Sequence, residues 1–422
     1  MTGKTIHVFG VCVLILFLLP APPDARAQMV IGQYSDEAPL RTWNNHGLLS
    51  ALSGGMGNVR FTLADDAAAG SVNPSLPALG ASFQLALSGS ISTVSLNRYG
   101  IVNTGVLVTQ SNNAAGLFPL FDAAALTFRW RGWGIGIGYG PLESYSRPKT
   151  IYEASDAGEV YYQLEFLQQG LLRNAHLALS RAFGASVSIG VGVNVIGGEW
   201  EKTVREERRT LGITITDHKT ESYSGLYFTG GITVRPHSKL TLAAVVRTPF
   251  TRQSEGTSLY RYVSPLGGTD IQIPASAANR TEMPAVAGVG FSYAPSNTVR
   301  LVSDITFFLW NRYRFEYFEE ELERDFKNSL KWNNGFEFIN RLRLFGRNLV
   351  NPMRIGFIYD PQPMRTPNSR YLYLTLGMGL TLPHASLDFG TMFGWESGSG
   401  DNLTVYRSFI SLTIHSLKGD LR

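Results

Sequence analysis

Apolar and polar residues alternate with a period of two over much of the chain. Val187, Ile189, Val191, Val193 and Val195 are branched and apolar, and Ser186, Ser188, Gly190, Gly192 and Asn194 stand between them. The same pattern runs from Tyr371 to Leu382, from Val299 to Leu309 and from Leu387 to Phe393. Such spacing predicts strands with one apolar face. From Phe121 onward the strands are expected in pairs joined by short turns: at Arg131-Gly132, near Phe183-Gly184, at Pro236-His237-Ser238, at Pro295-Ser296-Asn297, near Asn348 to Pro352 and at Pro383-His384. Between pairs lie long polar gaps, expected as loops over roughly 92–121, 141–171, 198–224, 251–282, 310–332, 361–369 and 395–402.

Tight turns at one rim and long loops at the other are the layout of a bacterial outer-membrane barrel. Counted from Leu79, the segments make about 14 strands, an even number that returns both ends to the turn side. The expected fold is therefore all-β: a transmembrane antiparallel β-barrel, closed because hydrocarbon tolerates no open sheet edge. A soluble sandwich would alternate too, but its polar face would carry Lys and Glu freely. Here that face is mostly Gly, Ser, Thr, Tyr and Asn with isolated charges, which suits a filled or ligand-bearing lumen. No segment has 18 consecutive apolar residues, so no helical span is expected.

The first residues read as an export signal. Lys4 gives a basic start, Val8 to Leu19 is an apolar run too short to span, and Ala25-Arg26-Ala27 is a small-x-small cleavage site. Residues 1–27 are expected to be removed, with the mature chain beginning at Gln28 in the outer membrane. The single cysteine, Cys12, lies in that signal. The mature chain then has no disulfide, no thiol nucleophile and no Cys metal site.

Charge excludes more. The full chain carries +4, and loss of Lys4, Arg26 and Asp24 leaves about +3, too weak and scattered for nucleic acid. The six histidines after the signal belong to no metal motif, and the acidic run Glu316 to Asp325 lacks ligand spacing. There is no P-loop and no dinucleotide fingerprint. No local signature marks a Ser-His-Asp group, so no catalytic residue, cofactor or metal is expected.

Residues 28–78 do not alternate. They hold Gly54-Gly55-Met56-Gly57, Ala64-Asp65-Asp66-Ala67-Ala68-Ala69 and Asn73-Pro74-Ser75. Too polar to face lipid and too long for a free tail, they are expected inside the barrel as a plug, with a periplasmic extension as the alternative. These three motifs resemble the N-terminal hatch of the FadL/TodX family of outer-membrane transporters. So do Gly230 to Pro236 with Lys239 to Leu242, Pro295 to Arg300 running on to Trp310, and Arg354 to Asp360 followed by Pro361, Pro363 and Arg370 to Leu380. The resemblance covers most of 48–414. It departs in Ser75, where the family usually has Ala, and in the polar tail 416–422, where many outer-membrane barrels end on an aromatic residue.

The resemblance implies a hatch over 28–78 inside a barrel over 79–415, and passive uptake of long-chain fatty acids or aromatic hydrocarbons. Ligand is caught by loops and leaves sideways at a kink in the third strand. Asp65, Asp66, Asn73, Pro74 and Ser75 become the gating candidates, with Arg129, Arg300 or Arg354 as partners for the aspartates and strand backbone near the kink for Asn73. Gly132, Trp133, Gly134, Gly136 and Gly138 become the lateral-opening candidates, since glycine weakens a strand. Equally, those glycines would let the plug pack close to the wall. Over 159–172, Tyr161, Leu164, Leu167 and Leu171 at helical spacing, with Phe166 nearby and Arg173 beside them, predict an exposed apolar helix face that captures ligand, or one that packs against other loops. The expected partners are a hydrophobic small molecule, outer-membrane lipid and the barrel-assembly machinery, with a monomer as the default. Two other readings stay open: a docking barrel of a secretion or attachment complex, and an outer-membrane lipid hydrolase.

Overall fold

The computed structural model describes residues 45–416 apart from 104–106, 157, 266, 318–319, 323–324, 345–346, 367 and 399–401. The expected signal over 1–27, the start of the plug and the tail from 417 lie outside the described residues. One antiparallel sheet contains β1 (Phe83–Asn103), β2 (Leu107–Trp130), β3 (Trp133–Ser144), β4 (Arg147–Asp156), β5 (Glu159–Phe183), β6 (Val187–Arg208), β7 (Ile213–His237), β8 (Leu240–Arg247), β9 (Phe250–Ser264) and β10 (Thr269–Met283). It continues through β11 (Val286–Ser296), β12 (Val299–Phe308), β13 (Arg314–Tyr317), β14 (Glu320–Leu322), β15 (Ser329–Leu344), β16 (Arg347–Pro361), β17 (Arg370–Thr381), β18 (Ala385–Ser397) and β19 (Thr404–His415). Five short strands prolong a neighbour along the chain, so the wall has 14 staves. β1 pairs with β19 from Gln84–His415 to Ser95–Thr404, which closes the cylinder. The two ends meet at one rim, where Ser416 N donates to Phe83 O at 3.0 Å.

The alternation explains the faces. In β6, Val191 is 62% exposed on the outside, and Ser188 and Asn194 are buried inside. Staves all round the barrel show the same outward apolar set, such as Leu87, Ile137, Leu177, Phe228, Val289 and Ile410. Trp130, Trp133 and Phe183 mark the turn rim, and Trp332, Phe393 and Tyr406 lie toward the other. A continuous apolar belt with aromatic girdles is stable only in a bilayer. The chain is thus an outer-membrane type of barrel.

Three expectations change. The gaps 92–121, 141–171, 198–224 and 251–282 are largely strand rather than loop. β5 and β6 pair without a break from Tyr162–Arg208 to Phe183–Val187, and β6–β7 does likewise from Arg208–Ile213 to Val187–Val234. Above the belt both faces meet water, so Lys202, Thr203 and Arg205 can follow one another and the period-2 signal vanishes while the backbone ladder persists. For the same reason the helix expected over 159–172 does not form. Tyr161, Leu164, Phe166, Leu167 and Leu171 sit on β5, whose backbone is held by β4 and β6 and whose aromatic and branched residues suit a strand. The turn expected near Asn348 to Pro352 lies within β16. There the ladder to β17 skips from Val350 to Met353, sparing Pro352 a bond it cannot donate.

Residues 45–82 lie inside the wall. They form α1 (Ala51–Gly55) and two 3₁₀ turns, Ala67–Ser71 and Leu76–Ala78. Leu76 to Ala78 therefore precede the wall, which starts at Phe83, four residues later than expected. Ser50 caps α1 through its side chain, and Asp66 caps the first 3₁₀ turn by accepting from Ala68 N at 3.0 Å.

The closing seam has a clamp of its own. Arg407 of β19 donates to Asp122 of β2 across the intervening β1, and its Nε donates to Ser90 of β1 at 2.9 Å. Both ends of the pair are almost fully buried. Arg407→Met is expected to cost about 3–5 kcal/mol, because it strands a buried carboxylate. Replacing both Arg407 and Asp122 by apolar residues should return most of that loss. Denaturant unfolding of the three variants in detergent checks it, and equal losses for single and double variants would refute it.

Candidate functional site

The inner segment touches the wall where the wall has no side chains. A Cβ added at Gly134 would strike the backbone of Pro77-Ala78, one at Gly190 would strike Pro74, and one at Gly356 would strike Met56-Gly57. Gly55 and Gly377 meet the same way. Glycine here permits backbone-to-backbone approach. Of the two roles open for the third-strand glycines, close packing is the one their contacts show. Gly134 and Gly136 meet Pro77 and Ala78, and Gly138 meets Leu48 and the His176 ring. Gly132 instead forms the turn with Arg131, both at positive φ, and Trp133 points outward.

Polar contacts lock the same segment. Asn73 is fully buried. Its amide donates to Phe61 O at 2.6 Å and to Thr233 Oγ1 at 3.0 Å, and its oxygen accepts from Ser75 N and Ser75 Oγ at 3.1 and 2.7 Å. Ser75 and Thr233 hydroxyls lie 2.7 Å apart, and Ser188 donates to Ser75 O at 2.8 Å. Asn73-Pro74-Ser75 is therefore seated on β6 and β7. The expected partner, backbone near the third strand, is replaced by a Thr233 side chain, because the segment crosses the bore before reaching β3.

The two aspartates part company. Asp65 accepts from Arg300 at 3.1 Å, and a ladder continues through Glu337 at 2.9 Å, Arg354 at 2.8 Å and Asp388 at 2.6 Å. It ties the inner segment to β12, β15, β16 and β18. Asp66 joins no such pair and accepts from Ser50 Oγ at 2.7 Å beside its capping bond. The expected capture residues scatter as well. Leu171 and Arg173 line a cavity of about 1050 Å³ on the far side of the belt from the turns, together with Glu199, Glu221 and Glu255. Leu164 and Tyr162 form a cluster with Tyr152, against which Tyr161 and Phe166 pack, and Leu167 faces outward.

Two further features bear on the site, one beside the kink expected in the third strand and one that escapes a reading of the sequence. First, β2 and β3 pair only from Ala124–Tyr139 to Trp130–Trp133, and a bulge follows on the other side of β3 between Pro141 and Glu143. Among the described residues the β2–β3 ladder ends there, just above the glycine run. Second, a smaller cavity of about 180 Å³ sits against the inner segment, lined by charged groups, among them Arg60 of that segment and, from separate strands, Glu143, Arg247 and the Lys331–Asp360 pair at 2.9 Å. Their only trace in the sequence is a lone charge in each of several small-residue faces.

Comparison with known proteins places the chain. A family model described as BamG matches residues 82–417. The chain belongs to the BamG family. No curated protein matches the sequence of this BamG-family barrel. Among solved structures it resembles CymD, described as a monoaromatic hydrocarbon channel, at 16% identity with a TM-score of 0.60 over 88% of this chain and 98% of that one. It also resembles the Ralstonia pickettii toluene transporter TbuX (13%, TM-score 0.63, 88% and 99%) and the Pseudomonas putida toluene transporter TodX (12%, TM-score 0.61, 87% and 98%). The shared feature at this identity is the fold, so the expected FadL/TodX-type barrel is borne out as architecture. These neighbours are channels and transporters, not enzymes.

Two substitutions test the seat of the inner segment. Asn73→Ala should cost about 1–3 kcal/mol by orphaning buried partners. Gly134→Val should lever Pro77-Ala78 off the wall and raise single-channel conductance of the reconstituted barrel. Conductance unchanged in a folded Gly134→Val barrel would show that the contact does not seal the bore.

Proposed function

We propose that this BamG-family barrel is a passive outer-membrane transporter for hydrophobic small molecules, with residues 28–78 as a hatch behind an export signal over 1–27. The observation that carries the reading is the interrupted ladder between β2 and β3, adjoining the lumen in a fold shared with proteins described as hydrocarbon channels. Ligand would enter the large outer cavity past Leu171 and Arg173, with Tyr161, Leu164, Phe166 and Leu167 on the same hairpin. It would pass the hatch and leave at the third strand beside Gly132, Trp133, Gly134, Gly136 and Gly138. Each methylene removed from water contributes about 0.8 kcal/mol, so no energy source is needed for uptake. Asp65, Asp66, Asn73, Pro74 and Ser75 set the resting position of the hatch.

A second reading, a docking barrel within an outer-membrane complex, is favoured by a separate observation. The ion ladder and the glycine contacts fix the inner segment to the wall, and the hairpin of β9 and β10 rises above the belt with Leu259, Ile271 and Ile273 exposed.

One variant separates the two. Ser75→Cys with Thr233→Cys replaces hydroxyls 2.7 Å apart in a mature chain expected to have no other thiol. Oxidation should tether the hatch and cut toluene uptake into proteoliposomes by about tenfold, a barrier change of roughly 1.4 kcal/mol, and reduction should restore it. Uptake indifferent to the tether, or absent from the untethered barrel, would move the assignment to docking.

A further inference from the structure

The smaller cavity does not suit the ligands named for the structural neighbours. Its volume of about 180 Å³ is close to that of an engineered cavity, about 150 Å³, that holds one benzene ring in another protein. One substituted six-membered ring fits, and a long acyl chain does not. Part of the lining is apolar: Phe61, Phe308 and Trp310, the last two stacked with centroids 6.0 Å apart.

The rest is polar and incompletely paired. Eight lining residues each keep a buried side-chain atom with no hydrogen-bond partner, among them His46 Nε2, Asn58 Oδ1, Arg60 Nε, Glu143 Oε2, Asn174 Oδ1 and Arg247 Nε. Three of these side chains are held by another of their polar atoms. Arg60 donates to Leu48 O at 2.8 Å, Arg247 to Pro284 O at 3.3 Å, and Asn174 to Asn194 at 3.0 Å. Buried polar atoms are almost always satisfied, and leaving one unpaired costs about 1–3 kcal/mol. A bare hydrocarbon would displace water from this cavity and satisfy none of them. A hydroxyl does both jobs required here: its O–H donates to the Glu143 carboxylate or an Asn oxygen, and its oxygen accepts from the Nε–H of Arg60 or Arg247.

We propose that this cavity is a binding site for hydroxylated single-ring aromatics, of the phenol and catechol class, in preference to bare hydrocarbons and long acyl chains. The inference rests on the transport reading for the route by which ligand arrives, and the site itself is testable without transport.

Calorimetric titration of the full barrel in detergent with phenol, catechol, toluene and palmitate tests it. Phenol and catechol should bind at least about tenfold more tightly than toluene, and palmitate should not compete with them. Asn58→Leu with Arg247→Met should erase that preference while the barrel keeps its heat-modifiable migration. The comparison of probes on the unaltered barrel stands even if the double variant does not fold. Toluene or palmitate binding as tightly as phenol, or no binding to a folded barrel (a cavity holding water only), would overturn the proposal. Phenol binding with tether-independent uptake would sink transport and keep the site. Tether-dependent toluene uptake without a phenol preference would do the reverse.

Discussion

Backbone amides and carbonyls crossing hydrocarbon have no water to bond, and the rest of this structure depends on that constraint. It forces the sheet to close on itself, and closure makes β1 and β19 neighbours although they stand at opposite ends of the wall. The Arg407–Asp122 clamp reaches over that seam, joining the last stave to the second across the first. A closed wall also has an inside, and an inside of 14 staves is too wide for its own side chains to fill. The inner segment takes up that space.

How the segment fits follows from small residues on both sides. Glycines of β3, β6, β16 and β17 remove the side chains that would hold it off, and its own Gly55 and Gly57 answer them. Close approach of two backbones leaves polar groups to satisfy, and Asn73, Ser75, Thr233 and Ser188 do so in one connected set. The ion ladder from Asp65 to Asp388 adds position more than stability, since buried pairs repay little beyond their desolvation. The segment is held by several separate contacts, and none of them is a covalent tie.

The extended hairpins give the molecule a second region with different physics. Above the belt the ladders of β5, β6 and β7 continue into water, where Lys149–Glu165 and Arg205–Glu207 pairs lie on the surface. Exposed pairs of that kind contribute little, so the backbone ladder carries this wall. The large cavity lies among these strands, and the small charged one lies against the inner segment nearer the belt.

The sequence by itself determined the barrel. Alternation along Val187–Val195 or Leu372–Leu382 reports which face meets lipid, because one residue of slip would turn every side chain over. Tight turns at Arg131-Gly132 and Pro383-His384 set the even count, and the glycine, aspartate and Asn-Pro motifs before Phe83 marked the segment that does not alternate. The hairpin extensions were hidden because polar residues on both faces leave no period to read, and Leu164 and Leu171 fitted a helical spacing equally well until β4 and β6 decided their backbone. Only the tertiary structure brought Arg300 and Asp65 together, interrupted the β2–β3 ladder and gathered Arg60, Glu143, Arg247 and Lys331 around one small cavity. Each of those charges looks solitary along the chain, because the residues that face it come from staves many tens of positions away and meet it only when the barrel closes.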